Sequence, residues 1–170
     1  MKYHEFKMKA ELSGINPIPE NVFSKFGEIG LERELLASLL WDDESRGPSR
    51  SLSLDSVFSI VVSHMVSSGK TIDNNWIEKI GVTDINLFGI YEIKDGMFYN
   101  CSGLTSVTIP SSVTSIGEWT FYGCKNIKNV VFCGRTKDEV KSMESYPWGL
   151  ECIFHSSDTP DGHRMLIERG

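Results

Sequence analysis

Apolar residues recur at helical spacing along the first 80 residues of this 170-residue chain. The broadest stripe runs over Val22–Leu40 and predicts a helix whose apolar surface is wide enough to be buried. Gly27 and Gly30 fall inside this stripe, so the pattern predicts either one kinked helix or two shorter ones.

Two shorter helices are predicted after this stripe. The first carries an apolar face over Val57–Val66 and can be capped by Ser53 or Asp55. The second begins after the capping residue Asp73 and ends at Gly81, because glycine readily adopts the left-handed conformation that closes a helix.

The segments on either side of the main stripe are predicted to be non-helical. Tyr3–Leu12 is expected to form an edge strand. Residues 42–53 combine polar side chains with Gly and Pro and are expected to form a loop. The N-terminal half is therefore predicted to be a compact, mainly helical unit.

The pattern changes after residue 90, where apolar positions recur every 23 residues. The register holds through seven pairs: Ile93/Ile116, Phe98/Phe121, Tyr99/Tyr122, Cys101/Cys124, Leu104/Ile127, Val107/Val130 and Ile109/Phe132. A fixed period of roughly 20–29 residues is typical of leucine-rich solenoids. Each coil leaves an apolar edge that only the next coil covers, so apolar residues recur at the stacking period.

These residues resemble the BspA-like leucine-rich repeat. The motif that carries the resemblance is Phe98-x-x-Cys101-x-x-Leu104-x-x-Val107-x-Ile109-Pro110, continued by Val113-x-x-Ile116-Gly117-x-x-x-Phe121-x-x-Cys124. The resemblance covers residues 90–161 and does not extend into the first 80 residues. It implies coils that each carry two short strands with a tight turn between them.

Both ends of the repeat region carry segments that are expected to close it. Ile85–Ile90 has the spacing of a degraded first coil, and the helical unit is expected to pack on this N-terminal edge. At the other end, Thr136-x-x-Glu139 is a capping-box sequence that predicts a helix through Val140 and Met143.

The last residues predict a hairpin, in which Asp161-Gly162 turns Cys152–His155 back onto Arg164–Ile167. The predicted fold is therefore α+β, with an N-terminal helical unit packed on a short BspA-like β-solenoid that ends in a helix and a hairpin. The predicted units are residues 1–81 and 82–170. About two coils are too few to be stable alone, so both units are expected to fold together.

Composition and charge bound the class of partner. The chain carries 23 acidic and 17 basic side chains, a net charge of −6 and a pI near 5.2. Nucleic-acid binding needs a basic face, so no nucleic-acid partner is predicted. The N-terminus has no secretory signal, and the longest apolar run, Val57–Val66, is too short to span a bilayer. We therefore expect a location in the cytoplasm or in a virion.

The four cysteines are Cys101, Cys124, Cys133 and Cys152. Their spacings fit no zinc-binding pattern, so they are expected to be reduced. Cys101 and Cys124 occupy the same repeat position, which predicts that they stack in adjacent coils as small buried side chains.

One segment imitates a phosphate-binding loop. Ser67–Thr71 ends like such a loop, but His64 stands where its first glycine is required. The preceding run is also predicted to be a helix, whereas a phosphate loop follows a strand. Gly69 is therefore predicted to end that helix, and His64 to be a structural histidine within it.

The C-terminal tail imitates a metal site. His155, Asp158, Asp161 and His163 include metal-ligand types, but a turn accounts for them more simply. No catalytic motif is found in the sequence, so no enzyme activity, metal or cofactor is predicted.

The remaining candidate site is a protein-binding surface on the repeats. The outward side chains of aligned strands form a continuous face in stacked coils. The predicted contact residues are Thr105, Ser106, Thr108, Trp119, Tyr122, Lys128 and Asn129, and Ser112, Thr114, Ser115 and Val131 are also expected to face outward. Trp119 and Tyr122 are of types that anchor interfaces, although packing in the core or a turn would explain them equally well.

The predicted function is protein–protein recognition without catalysis. Short BspA-like chains resemble proteins of bacteria, phages and mobile elements. One form of the prediction is a structural or adaptor component of a larger assembly, such as a phage virion or tail, which can include self-association; the broad apolar helix Val22–Leu40 motivates it. The other form is a small inhibitor that binds and blocks a host protein such as a defence nuclease.

Overall fold

Helices fill the N-terminal half of the chain, and short strands follow. The computed structural model describes residues 1–15, 18–46, 53–143, 154–157 and 164–167. Within these ranges the helices are α1 Tyr3–Leu12, α2 Glu20–Gly27, α3 Glu32–Arg46, α4 Leu54–Ser67, α5 Asn74–Ile80 and α6 Lys137–Lys141. The strands are β1 Asp84–Asn86, β2 Glu92–Ile93, β3 Ser106–Ile109, β4 Ser115–Ile116, β5 Asn129–Phe132, β6 Phe154–Ser157 and β7 Arg164–Ile167.

The prediction of an edge strand at the N-terminus is wrong, because Tyr3–Leu12 is helix α1. Phe6 and Ala10 lie one helical turn apart and are both buried, whereas Met8, which would share their face in a strand, is 53% exposed. The Phe6 and Tyr3 rings pack against Phe23 of α2, with ring centroids 4.9 and 5.5 Å away.

The broad apolar stripe is divided into two helices, as one of the two predictions required. α2 ends at Gly27, the chain turns through Gly30 at φ +70°, and α3 begins at Glu32. The predicted loop 42–53 is wrong over its first five residues, because α3 continues to Arg46. Asp42 is buried there, since it follows Leu39 by three positions on the inward face.

The predicted helix ends after residue 53 are confirmed. Ser53, rather than Asp55, caps α4 by accepting a hydrogen bond from the Ser56 amide, and Asp73 caps α5. The glycines that follow these helices, Gly69 and Gly81, adopt φ of +76° and +81°. These left-handed residues turn the chain out of the helix, as glycine does most easily.

Strands from successive repeats pair in parallel. In the five-stranded sheet the order is β1-β3-β5-β6-β7, and β2 pairs separately with β4. Ile85 pairs with Val107, and Val107 with Val130, so the predicted degraded first coil supplies the first strand of the ladder. In the second ladder, Ile93 pairs with Ile116.

Helix α4 covers the N-terminal edge of this ladder through two serines. Ser59 Oγ accepts a hydrogen bond from the Asn86 amide at 3.1 Å, and Ser63 Oγ accepts one from the Phe88 amide at 3.2 Å. Residues four apart on a helix are separated by about 6 Å, close to the spacing of residues two apart on a strand. The helix thus satisfies backbone amides that an open sheet edge would expose.

One apolar core joins the helices to the repeats. Its buried residues run from Phe6 in α1 to Met143 beyond α6 without a break into separate clusters. The chain is therefore a mixed helix-and-strand protein in which both halves contribute to the same interior. The predicted division into residues 1–81 and 82–170 stays a prediction.

The C-terminal closure is confirmed in part. Thr136 and Glu139 form the predicted capping box at the start of α6, and Val140 and Met143 are buried. β6 and β7 pair in antiparallel fashion, with Phe154 opposite Ile167 and His155 opposite Leu166, as predicted for these residues. Cys152 and the turn at 161–162 lie outside the described residues.

Candidate functional site

The turns that follow β2 and β4 lie against each other and are joined by backbone hydrogen bonds. The amides of Gly96, Phe98 and Asn100 donate to the carbonyls of residues 118, 120 and 122 at 2.9, 3.0 and 2.7 Å. Equivalent side chains therefore lie one above the other. Phe98 and Phe121 form a buried stack in the core, with ring centroids 5.7 Å apart and planes within 4° of parallel.

A second aromatic stack lies on the outer surface of the same turns. Tyr99 and Tyr122 stack with centroids 5.5 Å apart, and the ring of Trp119 meets Tyr122 edge-on at 5.0 Å. The three side chains, called here the aromatic cluster, are 45%, 44% and 56% exposed respectively. Such contacts hold the rings in place while leaving their outer faces to solvent.

Trp119 has a backbone conformation that is rare for its residue type. Its φ is +61°, and the equivalent residue of the preceding turn is Gly96, with a φ of +65°. Asn100 and Gly123 are another equivalent left-handed pair, at +59° and +82°. A bulky residue in this region is an outlier that costs about 1–2 kcal/mol relative to glycine. Trp119 is 56% exposed, so burial of the indole offsets this cost only in part, together with its edge-on contact with Tyr122.

The repeat pattern also matches a known family. The model of the BspA type leucine-rich repeat region, described with six copies, matches residues 63–148. The chain belongs to this family. No curated protein and no solved structure matches the chain.

The BspA-type match begins within α4, before the predicted start of the resemblance at residue 90. The structure shows why helical residues belong with the repeats. The Ile72 amide donates to the carbonyl of Met97 at 2.9 Å, and Asn74 Oδ1 accepts from the Gly103 amide at 2.8 Å. The segment that leads into α5 therefore lies where a preceding BspA-type coil would place its turn.

Membership of the family bears on function at a general level. Leucine-rich repeats generally mediate protein–protein interactions, and the family is typically a non-enzymatic interaction module. In the part of the chain that the structure describes, no helix has the length and apolar character needed to cross a membrane.

The predicted contact residues fall into two groups. Thr105, Ser106, Thr108, Lys128 and Asn129 lie together in and just before β3 and β5, where Ser106 pairs with Asn129. The backbone amide of Lys128 donates to the Thr105 carbonyl at 2.8 Å, so their coils adjoin. These five residues, called here the strand face, are exposed or half-buried.

Trp119 and Tyr122 form the other group, in the turn that follows β4. The prediction left open whether they bind a partner or pack in the core or in a turn. Both rings pack in the turn and remain about half exposed, which excludes the core, and their role in binding stays a prediction. Val131 was expected to face outward and is buried instead, at 3% exposure.

Tyr99 is the cluster residue that the sequence prediction missed. The period of 23 residues pairs it with Tyr122, so the sequence contained the signal that two tyrosines would stack. In the sequence alone this pairing is evidence for the repeat, since a residue that recurs at the period usually belongs to the core.

His64 has structural partners. The Ser38 hydroxyl donates to the Glu34 carbonyl at 2.6 Å, so His64 Nδ1, 3.1 Å from Ser38 Oγ, is the donor of that second hydrogen bond. Burial, together with the nearby Lys70 ammonium, lowers the pKa of His64. A histidine that donates to a buried serine cannot activate it as a nucleophile, so this pair is structural.

The segment that resembles a phosphate-binding loop has a structural explanation, and the possible metal ligands of the tail are a second candidate for a chemical site. Ser67–Thr71 follows helix α4, and Gly69 ends the helix, as predicted. No group of three or more metal-ligating residues lies close together among the described residues. The tail residues His155, Asp158, Asp161 and His163 lie outside the residues whose side chains are described.

Cys101 and Cys124 are buried at equivalent positions, as predicted. The Cys101 thiol donates to the Ile72 carbonyl at 3.5 Å, and the Cys124 thiol donates to the Phe98 carbonyl at 3.1 Å. Burial, with Cys124 and Asp73 nearby, raises the pKa of Cys101 to about 12. Nucleophilic cysteines need the opposite shift, so Cys101 is a packing residue.

Proposed function

We propose that the chain is a non-catalytic recognition module that binds a protein partner through the aromatic cluster. The observation that carries the proposal is Trp119, an exposed residue held in the left-handed conformation that Gly96 adopts one coil earlier. Backbone strain of this kind concentrates at functional sites, where a particular side chain is needed. Tryptophan and tyrosine also contribute most often to the binding energy of protein interfaces.

The repeats give this surface a rigid support. The two parallel ladders and the hydrogen-bonded turns support a short solenoid, with the helical unit, residues 1–81, as its N-terminal cover. Side chains already fixed by stacking lose little conformational entropy when they bind. The strand face, Thr105, Ser106, Thr108, Lys128 and Asn129, is proposed as a flanking polar contact.

The first form of this function is an adaptor or structural component of a larger assembly, such as a phage virion or tail. An adaptor needs two contact surfaces, and α1 offers a second one. Met8 and Leu12 lie one helical turn apart and are both strongly exposed, at 53% and 81%. The earlier motivation from Val22–Leu40 is weaker, because most of that apolar surface is buried in the core.

The second form is an inhibitor that blocks a host protein, such as a defence nuclease. Three adjoining rings have the character of a single binding hot spot, which suits one tight stoichiometric partner. In either form the chain would act in the cytoplasm or in a particle assembled there.

The proposal is tested by a pull-down from a lysate of the source organism with three tagged proteins. These are the unaltered chain, Trp119→Asn, and a strand-face variant in which Thr105, Thr108 and Lys128 become Glu. Asparagine tolerates the left-handed conformation, so the first variant removes the indole without disturbing the turn. Circular dichroism checks that both variants are folded.

Loss of the captured protein with Trp119→Asn, and its retention with the strand-face variant, would support the aromatic cluster as the site. Loss with the strand-face variant alone would move the site to the strands. Equal capture by all three proteins would overturn both the aromatic cluster and the strand face as binding sites. Capture of assembly proteins or of further copies of the chain favours the adaptor, whereas one enzyme that loses its activity favours the inhibitor.

A further inference from the structure

The aromatic cluster has the layout of a square with one corner empty. Tyr99 and Tyr122 occupy one row of equivalent positions in the two turns, and Gly96 and Trp119 occupy the other. Three of these four positions carry a ring, and the fourth, Gly96, has no side chain. Apart from Gly96 and its two chain neighbours, the single heavy atom of the described residues within 4 Å of a Cβ placed on Gly96 is the Cβ of Tyr99, at 3.9 Å. The space above Gly96 is therefore open.

We infer that this open corner receives an arginine side chain of the protein partner, stacked on the ring of Trp119. The inference rests on the proposed function and adds the chemistry of the partner. One coil step carries Tyr122 onto Tyr99 with a centroid distance of 5.5 Å and a change of plane of 17°. The same displacement between equivalent residues relates Trp119 to the space above Gly96. A planar group in that space would therefore lie in stacking range of the indole.

The acidic residues next to the corner favour a cation over a neutral ring. An acidic residue directly precedes each position of this row: Asp95 before Gly96 and Glu118 before Trp119. Asp95 Oδ1 accepts a hydrogen bond from the Glu118 amide at 2.8 Å, which holds this carboxylate beside the row. The Gly96 amide in turn donates to the Glu118 carbonyl at 2.9 Å.

Lys94, the lysine nearest to Gly96 in sequence, is directed elsewhere. Lys94 precedes Asp95, and its ammonium lies over Gly69 at the end of α4, 3.3 Å from the point where a Cβ on Gly69 would be. A planar guanidinium stacks on an aromatic face and pairs with carboxylates at its edge at the same time. A partner tyrosine would gain the stacking alone, and a lysine would gain the charge without the planar fit.

The test is a titration of the isotope-labelled full chain, followed by nuclear magnetic resonance, with four capped pentapeptides of sequence Gly-Gly-X-Gly-Gly. X is Arg, Lys, Tyr or Ala, and each peptide is added to about 20 mM, since one stacked side chain gives only weak affinity. The signal followed is the indole N–H of Trp119, identified by its absence from the spectrum of Trp119→Asn. We expect the Arg peptide to shift this signal and to bind at least about threefold more tightly than the Lys or Tyr peptide.

Two variants show whether the corner and its charges are responsible. The double variant Asp95→Asn, Glu118→Gln keeps the hydrogen-bond acceptor on residue 95 and removes both charges, and should weaken the Arg peptide at least about threefold. Glu11→Gln, on the exposed surface of α1, removes one carboxylate away from the turns; it is the control for loss of surface charge and should leave binding unchanged. Gly96→Trp fills the corner with the residue of the next coil and should abolish the shift.

The outcomes separate this inference from the proposed function. A Tyr peptide that binds more tightly than the Arg peptide would overturn the arginine assignment. An Arg peptide whose affinity is the same in the double variant and in Glu11→Gln would also overturn it. Absence of any Trp119 shift with all four peptides would overturn the corner as a receptor. In each case the pull-down with Trp119→Asn reports independently on whether the cluster binds a protein.

Discussion

The two consecutive turns, residues 94–105 and 117–128, share one backbone path and differ in what they place on it. Both use left-handed residues at the same two positions, Gly96 and Asn100 in the first turn, Trp119 and Gly123 in the second. The Gly96 and Trp119 positions face solvent, whereas a Cβ on Gly123 would collide with the Asn100 side chain of the turn below. Gly123 is therefore required because a side chain would not fit. At the Gly96 and Trp119 positions a side chain does fit, so the residue there can contribute to a binding surface.

The largest expected effect on stability comes from adding a methyl group at Gly123, and the same change at Gly96 is the comparison. Gly123→Ala should lower the free energy of unfolding by about 2–5 kcal/mol, because it combines left-handed strain with a collision against Asn100. Gly96→Ala has the same strain and open space, so about 1–2 kcal/mol is expected. Urea unfolding of both variants measures the difference, and equal losses would remove the distinction between the two positions.

A second substitution isolates the steric part of that difference. Asn100→Gly removes the side chain that Gly123→Ala would strike, so the double variant should regain about 1–3 kcal/mol relative to the value expected from adding the two single effects. The measurement is a double-mutant cycle from four urea curves. If the two changes in unfolding free energy were strictly additive, the Asn100 side chain would move away from the added methyl group without destabilising the fold.

The buried cysteine of the first turn predicts a pH effect of intermediate size. In the unfolded chain the Cys101 thiol ionises near its ordinary pKa of 9.0, whereas the folded pKa is about 12. The unfolded chain therefore holds fewer protons above pH 9, and stability falls as pH rises, by about 1.4 kcal/mol per unit from this thiol. The stability difference between the unaltered chain and Cys101→Ala should narrow between pH 9 and pH 10. A constant difference would contradict the raised pKa.

The smallest expected change in stability belongs to the most important residue of the proposed site. Trp119→Asn relieves the left-handed strain of a bulky residue but loses the contact with Tyr122, and both terms are about 1 kcal/mol. The two should nearly cancel, so the melting temperature should hardly move. A loss of several kcal/mol would mean that Trp119 supports the fold rather than the surface.

Prediction from sequence succeeded for features that depend on one residue type at one position, such as helix ends and the apolar positions of the repeat. Asp73 and Gly81 mark their helix ends, and the apolar pairs such as Val107/Val130 mark the coils, because capping and stacking each leave a direct trace in the sequence. Tyr3–Leu12 failed because the pairing of its two buried residues, Phe6 and Ala10, with α2 and α3 is a tertiary effect.

The candidate surface was predicted only in part for a related reason. The strand face follows from the alternation of side chains along β3 and from the repeat register that aligns Asn129 with Ser106, both of which are visible in the sequence. The alignment places Trp119 opposite Gly96, but a sequence does not give the φ angle of a turn. Without that angle the sequence does not reveal the backbone strain at Trp119. It therefore does not single out the surface to which Tyr99 also belongs.

The serines that cover β1 favour growth of the repeat array behind the first coil over growth ahead of it. A duplicated coil placed after β3 would meet a neighbour of its own kind and could pair with it directly. A coil added ahead of β1 would have to displace α4 and leave the hydroxyls of Ser59 and Ser63 without the amides they now accept from. During evolution, copies of the repeat would thus be gained or lost behind the first coil, and α4 would remain the fixed origin from which they are counted.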